Sequence, residues 1–191
     1  MTDETRPEDL TSEPSDPVAD ADAVDDIGRA TAVLEFWEAA RGSAGVLGME
    51  VVTGMGVTAS VPPPAWSFGD NPALATELVE LVLAGTKTAT SSLAAEYDDA
   101  TEPMPKEGDL SILLDGGGAP RALIRTTEVE VVPFGEVDED FAAAEGEDDR
   151  TLASWRAEHE KFWNRTLSDR IQLGPDTGVV CERFEVLHPL A

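Results

Sequence analysis

Apolar residues recur at helical spacing in three stretches of the chain. In "NPALATELVELVLAG" (71–85), Leu74, Leu78, Leu81 and Val82 form one stripe, which predicts an amphipathic helix. Asn71 suits the N-cap and Pro72 the first helical position; Gly85 suits the left-handed residue that ends a helix. In "RTLASWRAEHEKFWNR" (150–165), Leu152, Trp155, His159, Phe162 and Trp163 share one face and predict a second helix. "ATAVLEFWEAAR" (30–41) predicts a shorter one, with Val33, Phe36, Trp37 and Ala40 on its apolar side. A further short helix is expected at 138–144, inside the acidic "EVDEDFAAAEGEDD".

Alternating patterns mark strands. "LSILLD", the turn "DGGG" and "RALIRTTEVEVV" predict a β-hairpin within 108–134, and "VVCERFEVL" (179–187) predicts a third strand. Two charges fall on apolar strand faces. Glu182 alternates with Val180, Phe184 and Val186, and Arg125 with Leu123, Val129 and Val131. A charge there must be paired or must line a cavity, so the alternatives are an ion pair within the sheet and a polar pocket at its mouth. Strands flanked by helices, without a βαβ rhythm, predict an α+β fold with a small barrel or curled sheet.

Residues 42–65 are rich in Gly and Pro and are expected to form a loop, with room for a strand at "MEVVTGMGVTASV". Trp66 and Phe68, in "AWSFGDNP", are expected in the core. Residues 1–26 lack aromatics and carry ten carboxylates against one cation, Arg6; they are expected to be a disordered acidic tail. The chain thus divides into that tail, a helix-and-loop extension at 27–65, and a main domain at 66–191.

Composition narrows the functional classes. The 191 residues carry a formal net charge of -26, which excludes a general duplex-DNA binder: such a protein replaces phosphate counterions with several cations. A site reading a nucleoside or a few nucleotides stays open. The single cysteine, Cys181, excludes an internal disulfide and a multi-cysteine zinc site. No apolar run is long enough to span a bilayer and no signal peptide is visible, so a cytoplasmic location is expected. No metal or cofactor is expected. The oligomeric state is not legible.

The candidate chemistry starts at "LAGTKTATSSL" (83–93). Lys87, one of only three lysines, follows Gly85 and stands among Thr86, Thr88, Thr90, Ser91 and Ser92. It either caps the preceding helix, whose C-terminal end favours a cation, or serves a site with those hydroxyls. In "AAAEGEDDR", Gly146 separates Glu145 from Glu147; a sharp turn there would aim both carboxylates the same way, the alternative being an exposed acidic loop. His159, on an apolar helix face, is expected to be a hydrogen-bonded core residue.

Together these stretches resemble a known family. "WSFGDNPALATELVELVLAGTKTAT", a "GD" before a strand, "RTTEVEVVPFGEVDEDFAAAEGEDDRTLASWRAEHEKFW" and "VVCERFEV" are similar to bacterial proteins of the ASCH domain family over about residues 66–188. The specific signal is the combination Gly85-x-Lys87-Thr88-x-Thr90 with "EGEDDR-x-L-x-x-W". The resemblance implies a fold like the PUA domain, a small β-barrel with flanking helices. It also implies an amidohydrolase of the kind that acts on N4-acetylcytidine, whose lysine, threonine and glutamate match Lys87, Thr90 and Glu147. Another member of the family is similar to a single-strand ribonuclease, and a non-catalytic RNA- or nucleotide-binding module is the remaining alternative. The expected partner is therefore a nucleoside or single-stranded RNA. On this reading Thr90 attacks an acyl carbonyl, Lys87 or Glu147 manages the proton, and Arg125 and Glu182 bind the base edge or the sugar. Thr88 and Ser91 are alternative nucleophiles or substrate contacts beside Glu145. The chain departs from the family pattern in its acidic tail, in residues 30–65, and at Asp148, where relatives more often carry glycine.

Overall fold

A computed structural model describes residues 17–43, 61–97, 103–167 and 172–189. The elements run α1 (Pro17–Ser43), β1 (Ala65–Trp66), α2 (Pro72–Leu83), β2 (Ala89–Leu93), β3 (Leu110–Leu114), β4 (Pro120–Pro133), α3 (Glu139–Glu145), α4 (Leu152–Leu167) and β5 (Gly178–His188). The strands form one sheet in the order β1-β3-β4-β5-β2. β1 pairs in parallel with β3 and every other pair is antiparallel. The α+β class with flanking helices is as expected. The sheet, expected to be barrel-like or curled, is not closed: β1 and β2 are its two edges.

Helices cover both faces. On one, α2 packs Leu78, Val79 and Val82 against Leu113, Ala122, Ile124 and Phe184, together with the expected core residue Phe68. On the other, α1 sets Val33, Trp37 and Ala40 on Ile112, Leu114 and Leu123. The same face, nearer β2, receives Phe141 and Ala142 from α3 and Trp155 and Trp163 from α4, over Ala89, Leu93, Val179 and Cys181.

Local sequence explains most boundaries. Asn71 caps α2, its side chain accepting the Leu74 N–H at 3.0 Å. Asp138 caps α3 by accepting from Phe141 N–H at 2.8 Å. Asp115 organises the β3–β4 turn by accepting from the N–H groups of Gly117 and Ala119.

Three expectations change. α1 begins at Pro17, inside the segment expected to be disordered. Proline fits the first turn and acidic residues suit a helix N-terminus, so the backbone is helical there without an apolar stripe. Residues 1–16 lie outside the described residues, as does nearly all of the strand considered at 49–61. β2 and β1 were not expected; the hydroxyl-rich "ATSSL" forms a strand because β5 offers it a full antiparallel partner. Finally, a bulge between Thr126 and Glu128 breaks the alternation of β4. Arg125 therefore does not share a face with Val129 and Val131, as simple alternation predicts. Among the described residues no helix is long and apolar enough to cross a membrane.

Candidate active site

The site is built where the end of α2 meets the end of α3. Gly85, at φ 70°, turns the chain out of α2, and the N–H groups of Thr86 and Lys87 both donate to the Leu81 carbonyl. That turn points Lys87 inward. The amine does not cap α2, which corrects one of the two sequence readings. It lies 1% exposed, 5.1 Å from the centroid of the Phe68 ring, between the carboxylates of Glu145 (2.9 Å) and Glu147 (2.6 Å).

Gly146 makes this double contact possible. It closes α3 at φ 74°, and a Cβ there would lie 2.4 Å from the Thr86 carbonyl oxygen. Only a glycine lets the α3–α4 turn approach the Thr86–Lys87 backbone so closely. The expectation that this turn aims both carboxylates the same way holds, and the exposed-loop alternative does not. Asp148 follows at φ 47°, a left-handed conformation in which glycine costs less.

Glu145 is fully buried and fully occupied. One carboxylate oxygen meets Lys87; the other accepts from the Ser91 hydroxyl at 2.6 Å and from the Trp155 indole N–H at 2.9 Å, with His159 Nε2 3.5 Å away. Burial alone would raise its carboxyl, but the Lys87 charge and these donors hold it below the ordinary carboxylate range. Burial likewise opposes the Lys87 charge, and the two carboxylates outweigh it, holding the amine above its ordinary value. The two carboxylates therefore favour the ammonium form of Lys87, which weighs against its acting as a base.

A cavity of about 210 Å³ opens above this ion cluster, between α2 and α4 at the free edge of β2. Thr90, Ser91, Glu145 and Glu147 line it; the Lys87 amine sits behind them. Its apolar walls are Phe68 and Leu78 on one side and Phe162 and Trp163 on the other. Glu77, Asp148 and Glu158 add to its negative lining, against Arg165 at the rim, which is paired with Asp70 at 2.7 Å. That pairing holds the Asp70 carboxyl below its usual range.

His159 also lines the cavity, stacked on Trp155 with centroids 4.3 Å apart, and its Nδ1 meets the Trp155 carbonyl at 2.9 Å. The expectation of a hydrogen-bonded histidine holds, but its cavity position was missed. The signal was present: His159 interrupts the apolar face formed by Trp155, Phe162 and Trp163.

The remaining site candidates divide. The Thr90 hydroxyl has no hydrogen-bond partner among the described residues and faces the cavity. Thr88 is exposed and its hydroxyl donates to the Ala144 carbonyl at 3.3 Å, so it fastens β2 to α3 and stays out of the cavity. Arg125 is likewise outside, paired with Glu185 directly across the β4–β5 ladder. The bulge puts Arg125 and Glu182 on opposite faces of the sheet, so they do not form one pocket. Glu182 stands opposite Thr90 in the β2–β5 register, half-buried, with one long hydrogen bond from the Thr126 hydroxyl at 3.5 Å. Burial, reinforced by the nearby charge of Asp109, pushes its carboxyl up to about 7. Among the described residues no group of three or more His, Cys, Asp or Glu side chains is arranged to hold a metal ion.

Comparison with known proteins agrees with the fold. The family model described as the ASCH domain matches residues 64–188. A crystal structure of an Enterococcus faecalis protein is 37% identical, covering 82% of this chain and 88% of that one, with a TM-score of 0.68. A crystal structure of an ASCH domain from Lactobacillus crispatus is 29% identical, covering 84% of this chain and 94% of that one, with a TM-score of 0.66. No curated protein matches significantly.

Proposed function

The chain belongs to the ASCH domain family, and we propose that its cavity hydrolyses an amide-linked, acylated nucleoside of the N-acylated cytidine type. The observation that carries this reading is the buried cluster of Lys87, Glu145 and Glu147 beneath a cavity that exposes the unpartnered Thr90 hydroxyl. A buried ion pair adds little stability over well-packed apolar residues, so its presence under a cavity favours a functional role.

In this mechanism the Thr90 oxygen attacks the acyl carbon, forming an ester and releasing the amine; water then hydrolyses the ester. Glu147, the more exposed of the two carboxylates, accepts the amide N–H of the substrate and orients the leaving nitrogen. Lys87 is a positioning residue: its charge fixes Glu147 and keeps Glu145 ionised. Backbone N–H groups along the free edge of β2 are suited to the developing oxyanion. The aromatic walls suit a base stacked between Phe68 and Phe162.

The lining charge favours this over the ribonuclease alternative. Glu77, Glu145, Glu147, Asp148 and Glu158 surround the space, and the rim cation Arg165 is already paired with Asp70. A polyanion entering there meets net repulsion, whereas an uncharged nucleoside does not. The test is product-resolved incubation with N-acylated nucleosides and with short single-stranded RNAs, using Thr90→Val as control. Release of free nucleoside by the wild type alone supports the reading. RNA cleavage with intact acyl nucleosides rejects it.

A further inference from the structure

The buried ion cluster supplies no base. Lys87 is held as an ammonium by two carboxylates, and Glu145 is saturated by Lys87, Ser91 and Trp155. Glu147 is engaged with Lys87 at 2.6 Å. A threonine hydroxyl does not attack an amide unless something takes its proton.

Outside the residues that line the cavity, one further carboxylate adjoins Thr90 across the strand pair. β2 and β5 pair antiparallel with Thr90 directly opposite Glu182, so the two side chains leave the same face of the sheet as cross-strand neighbours, with Cβ atoms about 5 Å apart. Among the described residues no cation pairs with Glu182, and its one hydrogen bond is the weak Thr126 contact. The groups facing it are Thr90 from β2, Thr126 and Val129 from β4, and Asp109 from the turn before β3, the last being the charged one.

We infer that Glu182, across the strand pair from Thr90, is the general base that takes the Thr90 proton. This role rests on the proposed hydrolysis. As the Thr90 oxygen bonds to the acyl carbon, its proton moves to the Glu182 carboxylate and the carbonyl π pair moves to oxygen. Collapse of that intermediate breaks the carbon–nitrogen bond, and the Glu182 proton passes to the departing nitrogen. In the second half Glu182 takes a proton from water, whose oxygen attacks the ester, and returns it to the Thr90 oxygen as that bond breaks. The sum is amide plus water giving acid plus amine. A carboxyl poised at about 7 suits both directions of transfer at neutral pH.

Two measurements on the full chain test this. The first is carbon-detected titration of the Glu182 carboxyl in the wild type and in Thr90→Val. A midpoint near 7 that moves when the hydroxyl is removed supports the pairing. A midpoint in the ordinary carboxylate range, or one indifferent to Thr90→Val, overturns it. The second is the pH profile of acyl-nucleoside hydrolysis in the wild type, Glu182→Gln and Glu182→Asp. The wild-type rate is expected to rise through about pH 7. Glu182→Gln should lose that limb and roughly 10²–10⁴-fold in rate, the scale of a removed base, with partial rescue in Glu182→Asp. Glu182→Gln with wild-type activity overturns the role of Glu182 alone. A wild type inactive on every acylated nucleoside overturns the functional reading, and the catalytic role with it.

Discussion

Glu145, fully buried, and Glu182, half-buried, are both carboxylates beside the same sheet, and their proton affinities are shifted in opposite directions. Glu145, under α4, has a cation and two neutral donors and is held ionised. Glu182, on the α2 face, has one long hydrogen bond and a neighbouring carboxylate and is pushed up to about 7. Burial sets the size of the electrostatic problem, and the partners decide which protonation state solves it. One end of the site is a fixed charge assembly. The other is a proton store with room to move.

The sharpest way to break the comparison is to remove the cation. Lys87→Met leaves two carboxylates facing each other without compensation and should cost about 3–5 kcal/mol in denaturant unfolding. The buried double ion pair leaves no room for an uncharged analogue to be neutral here. A loss below about 1 kcal/mol would show that the cluster is less committed than its geometry implies.

Gly146→Ala attacks the same region through the backbone. The added methyl meets the Thr86 carbonyl, and the left-handed φ adds about 1–2 kcal/mol to an overpacking cost of about 1–3 kcal/mol. Chemical denaturation should register the sum, and a neutral substitution would mean that the turn relaxes freely.

Trp155→Phe is a finer probe. It keeps much of the aromatic packing but removes the indole donor to Glu145, so about 1–3 kcal/mol should be lost. If stability holds, Lys87 and Ser91 alone suffice for Glu145.

At the other carboxylate the sign reverses. The Glu182 carboxyl sits near 7 in the folded chain against 4.5 for the free group, so the folded state prefers it protonated. Its contribution is therefore present below about pH 4.5 and is lost as pH rises toward 7. Glu182→Gln should raise the melting temperature at pH 8 by a few degrees, on the order of 1 kcal/mol after allowing for solvent screening. The gap should close at pH 4. A variant less stable than wild type at pH 8 would mean that the charged form has a partner after all.

The smallest effect belongs to Arg125, whose exposed pair with Glu185 sets the baseline for an ordinary surface contact. Arg125→Ala should change stability by less than about 1 kcal/mol and leave hydrolysis untouched.

Legibility followed the range of the cause. Asn71, Pro72 and Gly85 announced α2, and the "DGGG" turn announced β3 and β4, because caps and turns are decided within a few residues. Gly146 between two glutamates was legible for the same reason. The face of Arg125 was not, since one bulge reverses the alternation of β4, whereas Glu182 keeps the face it shares with Phe184 and Val186 on β5. β2 was missed because its strand character comes from pairing with β5, nearly ninety residues on. Lys87 read equally well as a helix cap, and only the approach of the α3–α4 turn decides against it.

On the proposed mechanism Thr90 acts covalently from this cavity on an uncharged acylated nucleoside. Rapid acid quenching of wild-type protein mixed with N4-acetylcytidine, followed by mass spectrometry of the peptide that contains Thr90, tests it directly. The account predicts a transient acetyl ester on Thr90 that forms and decays with the release of cytidine, and its absence in Thr90→Val. Hydrolysis that proceeds at the wild-type rate in Thr90→Val, with no ester at residue 90, would contradict it.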